Sequence, residues 1–237
     1  MKHSEFTAEN VTTRIVSPAQ GHRIWSETYD SRPNPLLALE SRHVSPMIPD
    51  LNHRMVLDLG CGTGRWLTSL RARGARGFGI DRSREMLVQA SRKPEIQGRL
   101  VRGDLCQLPF PHGCADLVIC AFSLGYVRTL EDAVTELARV AKPGGWVLVS
   151  DFHPEADAHG WKRAFRSGSQ VYEIQHYPYT TERLLEAARN AGLDLQERQQ
   201  PALDEPERHI FQEAGKEALF EEVRGVPAVL IVRWKRV

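Results

Sequence analysis

The chain of 237 residues is 41% hydrophobic and 26% charged, with 31 Lys and Arg against 30 Asp and Glu. That is enough apolar sequence for one full core with attachments, and a formal net charge of +1 provides no field for nucleic acid or an anionic membrane. No apolar run approaches the roughly 18 residues of a membrane span, the N-terminus lacks a signal-peptide core, and Cys61, Cys106, Cys114 and Cys120 form no CxxC pair and have no histidine at zinc spacing. The expectations are a reduced, cytoplasmic protein with a small-molecule partner and no bound metal.

In chain order, residues 1–50 hold scattered prolines and the aromatic pair Trp25 and Tyr29, then "NPLLALESRHV", which predicts a helix beside a sheet. From 55 to 152, short runs rich in β-formers ("MVLDLG", "ARGFGID", "GRLVRGD", "ADLVICAF", "GGWVLVSDF") alternate with helix-like segments, the signature of a parallel sheet with helices on both faces. Ser83 is predicted to cap "REMLVQASR", and Thr129 with Asp132 to start "LEDAVTELARVA", whose buried face would be Val134, Leu137, Ala138 and Ala141 before a stop at Pro143, Gly144 and Gly145. Residues 153–179 contain two strand-like pieces around "SGSQ", a hairpin pattern. "TTERLLEAARNAGL" reads as a helix ended by Gly192, followed by "DLQERQQ" and a last apolar strand, "VPAVLIVRW".

The stretch "VLDLGCGTGR" at 56–65 places three alternating glycines behind Asp58 at the end of an apolar run. A strand, a glycine turn and a helix beginning near Thr63 would bring backbone N–H groups and a helix N-terminus against a ligand. The dinucleotide fingerprint needs a third small residue three positions after the second glycine. Here that position is Arg65, which argues against NAD.

Asp58-x-Gly60-x-Gly62-x-Gly64 resembles motif I of the class I S-adenosylmethionine-dependent methyltransferases, and the resemblance continues in register. Asp81, closing "GFGID", stands where a carboxylate can accept both ribose hydroxyls, a device NAD enzymes share. Asp104 and Leu105, in "VRGDLCQLPFPHGCADLVICAF", match the segment that receives the adenine amino group and offers a backbone N–H to the ring, and "ELARVAKPGGWVLVSDF" matches the family's helix, turn and fifth strand. The resemblance covers about residues 55–152. It implies an α/β, Rossmann-like, seven-stranded, mostly parallel sheet with helices on both faces and the last strand antiparallel, "DLQERQQ" and "VPAVLIVRW" being strands six and seven. It further implies an N-terminal helical lid at 1–50 and a binding domain at 51–237, with 153–179 as a substrate-side insertion after strand five. Cofactor contacts would come from Asp58, Gly60, Cys61, Gly62, Gly64, Asp81, Arg82, Met86, Asp104, Leu105, Ala121 and Phe122, with Trp25 and Tyr29 in the lid; packing of this pair against the first strand is the competing reading. The implied cofactor is S-adenosyl-L-methionine, leaving as S-adenosyl-L-homocysteine, without a metal.

Nucleic-acid amino-methyltransferases carry [DN]PP[YF] after strand four, where this chain has "CAFSLGY", and Cys120 follows isoleucine rather than the proline of cytosine C5 enzymes. Tyr29-Asp30, "LPFPHG" and "KPGG" resemble the branch that includes ubiquinone and menaquinone biosynthesis enzymes, although Cys114 stands where serine or threonine is usual. That branch implies transfer to an oxygen or carbon of a small, aromatic or enolic acceptor. His153 and His176 are the candidate bases, with hydrogen-bonded loop histidines as the alternative reading; Tyr126, Trp161, Phe165 and Tyr177 are candidate pocket aromatics. A regulatory module that only binds S-adenosylmethionine, and an enzyme that uses the sulfonium without methyl transfer, stay open, as do monomer and homodimer.

Overall fold

The computed structural model describes residues 12–31 and 33–237. Residues 1–11 of the expected lid, and Arg32, lie outside the described residues. A short strand β1 (Thr13–Val16) and helices α1 (Pro18–Trp25) and α2 (Pro35–Val44) precede the alternating core. That core runs β2 (Met55–Leu59), α3 (Arg65–Ala72), β3 (Arg76–Asp81), α4 (Arg84–Ala90), β4 (Leu100–Arg102), β5 (Ala115–Ala121), α5 (Leu130–Val140) and β6 (Ala141–Phe152). The rest is α6 (Pro154–Ala158), β7 (Ala164–Ser167), β8 (Gln170–Ile174), α7 (Thr181–Asn190), β9 (Leu193–Gln199), α8 (Glu205–Glu213), α9 (Glu217–Val223) and β10 (Val229–Arg236).

The main sheet has the order β4-β3-β2-β5-β6-β10-β9, parallel except for β10, which runs antiparallel to both β6 and β9. Both faces are covered, so side chains of one strand alternate between two apolar layers. Leu57, Val118, Cys120, Leu230 and Val232 pack with α5 and α7, while Val56, Leu117, Ile119, Val229 and Ile231 pack with α2, α3, α8 and α9. Each fully buried Leu or Ile contributes about 1.5–3 kcal/mol. Because the chain leaves β2 toward β3 and β4 and returns to β5 on the other side, a crevice opens between the carboxyl ends of β2 and β5.

Local signals explain most boundaries. Ser83 Oγ accepts from the Met86 N–H at the start of α4, and Asn34 Oδ1 accepts from the N–H groups of Leu36 and Leu37 at the start of α2. Thr129 occupies the cap position of α5 without making a cap bond; its hydroxyl lies 3.5 Å from Cys106 Sγ. Helix α5 ends at Val140, and Ala141, expected on its buried face, instead opens β6 opposite Ala115. Pro143 disfavours helical geometry at Lys142, and the "KPGG" segment bulges out of the strand.

Three elements depart from the sequence reading. Helices α8 and α9 occupy the stretch between the last two strands; a capping box of Asp204 and Glu207 starts α8. Glu207 is 2% exposed and receives Arg42 of α2 through two bonds of 3.1 Å. Strand β1 was not anticipated either. It pairs in parallel with β8, itself paired with β7, so the N-terminal segment and the hairpin after β6 form one three-stranded sheet above the crevice.

Candidate active site

The glycine turn after β2 has φ values of +74°, +54° and +82° at Gly60, Gly62 and Gly64, a region that costs other L-residues about 1–2 kcal/mol each. Gly60 faces the segment after β5: a Cβ there would lie 2.2 Å from Ser123 Oγ, which itself donates to Ala121 O and lies 3.1 Å from Gly60 O. Gly64 caps α3 and packs over Ile96, away from the crevice. Phe122, in positive φ at +53°, is held by an N–H bond of 2.7 Å to Ser150 O.

Two adjoining cavities flank this turn. A smaller one of about 160 Å³ is lined by Asp58, Cys61, Gly62, Met86, Ala121, Phe122, Trp25 and Tyr29, and a larger one of about 710 Å³ by Arg82, Asp104 and Leu105; both share Gly60, Asp81, Ser123, Tyr126 and His22. Asp81 stands between them. Its Oδ2 accepts from Gly62 N–H at 2.8 Å and its Oδ1 from Ser83 N–H at 2.7 Å, so the carboxylate is locked in place with a lone pair left on each oxygen. Asp104 accepts from Cys106 N–H, and Arg82 lies 3.8 Å from its other oxygen.

Asp58 is 2% exposed and accepts from Leu67 N–H at 2.8 Å. Burial pushes its carboxyl up to about 7, against the opposing pull of that N–H and Arg65. A raised folded-state value means that this group favours folding fully at low pH, with the contribution lost as pH rises from about 4 through about 7. The expected result is that the unfolding free energy of the wild type, from urea titrations, falls across that window relative to Asp58→Asn by several kcal/mol, at about 1.4 kcal/mol per unit. Parallel pH profiles for the two proteins would contradict a protonated, buried Asp58.

The segment after α1 is fastened onto the turn. Asp30 Oδ1 accepts from Thr63 Oγ1 at 2.8 Å and Oδ2 from Lys93 Nζ at 2.9 Å, while Tyr29 packs edge-on to Trp25. Asp30→Ala is expected to raise amide exchange in residues 26–31 at least tenfold while lowering the melting temperature by only a few degrees. Unchanged exchange would mean that apolar packing alone holds the segment. Helix α2 is anchored more deeply: Glu40, fully buried, accepts from Trp66 Nε1, Ser150 Oγ and Arg65 Nη2.

The two expected bases line neither of these cavities. His153 is 2% exposed; its Nδ1 accepts from Glu155 N–H and its Nε2 lies 2.7 Å from Gln200 Nε2. His153 and His176 line a further depression with Pro154 and Tyr179, which shares Phe152 and Arg163 with the smaller cavity and Tyr177 with the larger one. Among the expected aromatics, Tyr126 lines both cavities and Tyr177 the larger one. Trp161 packs against Phe152, and Phe165 stacks on Trp25 at 4.8 Å; neither lines these two cavities. The histidine that does face the crevice is His22, edge-on to Tyr126 at 4.7 Å. Its helix was signalled by Ser17-Pro18, where Ser17 caps α1 and Pro18 takes the first helical position. Arg163 had no local signal, since its partner Asp151 sits on β6 across the α6 loop.

A parallel sheet with an antiparallel strand between β6 and β9, and a glycine turn at its switch point, defines a Rossmann-like α/β protein with its crevice at the carboxyl strand ends. Residues 57–149 match the family model described as a methyltransferase domain. The demethylmenaquinone methyltransferase of Thermus thermophilus is 41% identical over 131 residues, 53% of this chain and 57% of that protein. The fatty-acid O-methyltransferase of Mycolicibacterium smegmatis is 32% identical over 130 residues, 54% of this chain and 47% of that protein. The chain thus spans about half the length of these curated relatives. In fold, it superposes on an S-adenosylmethionine-dependent methyltransferase from Mesorhizobium loti with a TM-score of 0.68, at 22% identity, covering 86% of this chain and 100% of that one. Among the described residues no helix is long and apolar enough to cross a membrane, and no cluster of His, Cys, Asp and Glu is placed to hold a metal.

Proposed function

We propose that this protein transfers a methyl group from S-adenosylmethionine to an oxygen or carbon of a small aromatic or enolic metabolite. The carrying observation is the placement of Asp81 between the two cavities, with Asp58 and Asp104 flanking it beside a turn that only glycine backbone can form. The residues fit the cofactor: the bare backbone of Gly60 and Gly62 lines the cradle, Asp81 has two lone pairs for a ribose diol, and Leu105 and Asp104 border the larger compartment. When bound, S-adenosylmethionine supplies an electrophilic methyl on a sulfonium.

The protein's part is to orient the acceptor, exclude water and take a proton. Trp25, Tyr29 and the loop fastened by Asp30 act as the lid, and the 153–179 insertion completes the acceptor side. The base role expected of His153 or His176 passes, in this reading, to His22. Burial holds its imidazole below the ordinary value despite Asp81, so it is neutral and able to accept a proton near pH 7. Four free cysteines suit a cytoplasmic location, and a monomer or homodimer is expected.

Calorimetric titration with S-adenosylmethionine, S-adenosylhomocysteine and NAD tests the reading. Micromolar affinity for the first two and none for NAD is expected. The converse would overturn it.

A further inference from the structure

The smaller cavity has a charge distribution that the proposed chemistry leaves unexplained. Asp58, Asp81 and Arg65 line it on the glycine-turn side, and Lys162 and Arg163, from the insertion, line it as well. Lys162 is half exposed and 3.9 Å from Glu173, an ordinary surface pair. Arg163 is different. Its side chain is 9% exposed, its Nη2 donates to Asp151 at 2.9 Å, and its Nε is buried with no hydrogen-bond partner among the described residues.

A desolvated guanidinium is costly; Nε is sealed from the cavity, so the part of the group that a ligand can meet is the remaining edge of the guanidinium that lines it. Asp151 cannot supply more. It is 1% exposed and already accepts from Gly125 N–H, Phe152 N–H and Tyr179 Oη as well as from Arg163. The guanidinium is also aimed with care: it lies over the Tyr126 and Phe152 rings at 5.1 and 5.2 Å, and Gly125 leaves it room, since a Cβ there would fall 2.5 Å from Nη2. Aromatic faces and a fixed planar fork beside an open cavity match a carboxylate carried on an aromatic or apolar body.

Resting on the methyltransferase reading, we infer that Arg163 anchors a carboxylate of the acceptor, so that the acceptors are small carboxylic acids. The site would then hold its acceptor by a charged fork while the glycine turn and Asp81 hold the cofactor.

The test is calorimetry on protein saturated with S-adenosylhomocysteine, using benzoate against benzamide and cinnamate against cinnamamide. The wild type is expected to bind each acid at least tenfold tighter than its amide. The double variant Asp151→Asn/Arg163→Gln, which removes both charges together, is expected to lose that preference while keeping S-adenosylhomocysteine affinity within about threefold. Should the double variant fail to fold, Gly125→Ala, which displaces the guanidinium sterically, is expected to weaken the acids at least fivefold and leave the amides unchanged. Equal affinity for acid and amide in the wild type, no binding of either acid, or a preference that survives the substitutions, would overturn the anchor. If S-adenosylhomocysteine does not bind, the methyltransferase reading falls, and the acid-to-amide comparison on the free protein still decides the Arg163 subsite.

Discussion

Asp81→Ala is expected to weaken S-adenosylhomocysteine by about 100-fold or more. The carboxylate is the one group that borders both cavities and has a lone pair on each oxygen left by its bonds to Gly62 and Ser83. Hydrogen bonds to a charged group contribute about 1.5–3 kcal/mol each. Losing a pair to the ribose therefore costs about 3 kcal/mol or more, and each 1.4 kcal/mol is tenfold. The substitution also leaves the Gly62 and Ser83 N–H groups without their acceptor, so the turn itself loosens. Asp81→Asn separates the two effects: the amide oxygen still serves one N–H, keeping the turn closer to its wild-type geometry, while the bidentate acceptor is gone. Affinity within threefold of wild type in both variants would place the ribose elsewhere and remove the main support for the cofactor reading.

Gly60→Ala is expected to be strongly destabilising. Two independent costs meet there: a φ of +74°, worth about 1–2 kcal/mol against an L-residue, and a Cβ position 2.2 Å from Ser123 Oγ. Overpacking of that severity adds about 1–3 kcal/mol. For a chain of this size each kcal/mol moves the melting temperature by roughly 2–4 °C, so a fall of about 5–15 °C is expected, with cofactor binding lost at any attainable concentration. Ser123→Gly in the same protein should restore the steric part and leave the backbone part, so the double-mutant cycle gives a coupling of about 1–3 kcal/mol. Additive effects would mean that the turn and the segment after β5 yield to one another freely, contrary to the close approach seen between them.

What was readable in the sequence follows from interactions of short range. The strands of the central sheet, the cap at Ser83 and the glycine turn depend on side-chain period, local hydrogen bonding and φ demands within a few residues, all written in the linear order. The carboxylates of Asp58, Asp81 and Asp104 were legible because each ends, or closely follows, its own strand, and parallel strands carry such ends to the same edge. Helix α8 was legible in principle, through Asp204 and Glu207, but its polar turns resembled a loop until Glu207 was buried against Arg42.

Only the tertiary structure decided the rest. Which cavity a histidine faces depends on elements far apart in the chain: His153 lies against Gln200, while His22 was delivered over the crevice by a helix packed against α4, β7 and β8. Phe165 and Trp161 became packing rather than pocket because the lid and the hairpin joined into one sheet through β1 and β8, with Trp25 stacking on Phe165. Arg163 is the clearest case: its meaning comes from burial, from Asp151 on a different strand and from the missing Cβ of Gly125. The sequence by itself determined the alternation, the turn and the acidic strand ends, since those are local; the choice of which charges and rings face the acceptor was left to long-range packing, which no local pattern encodes.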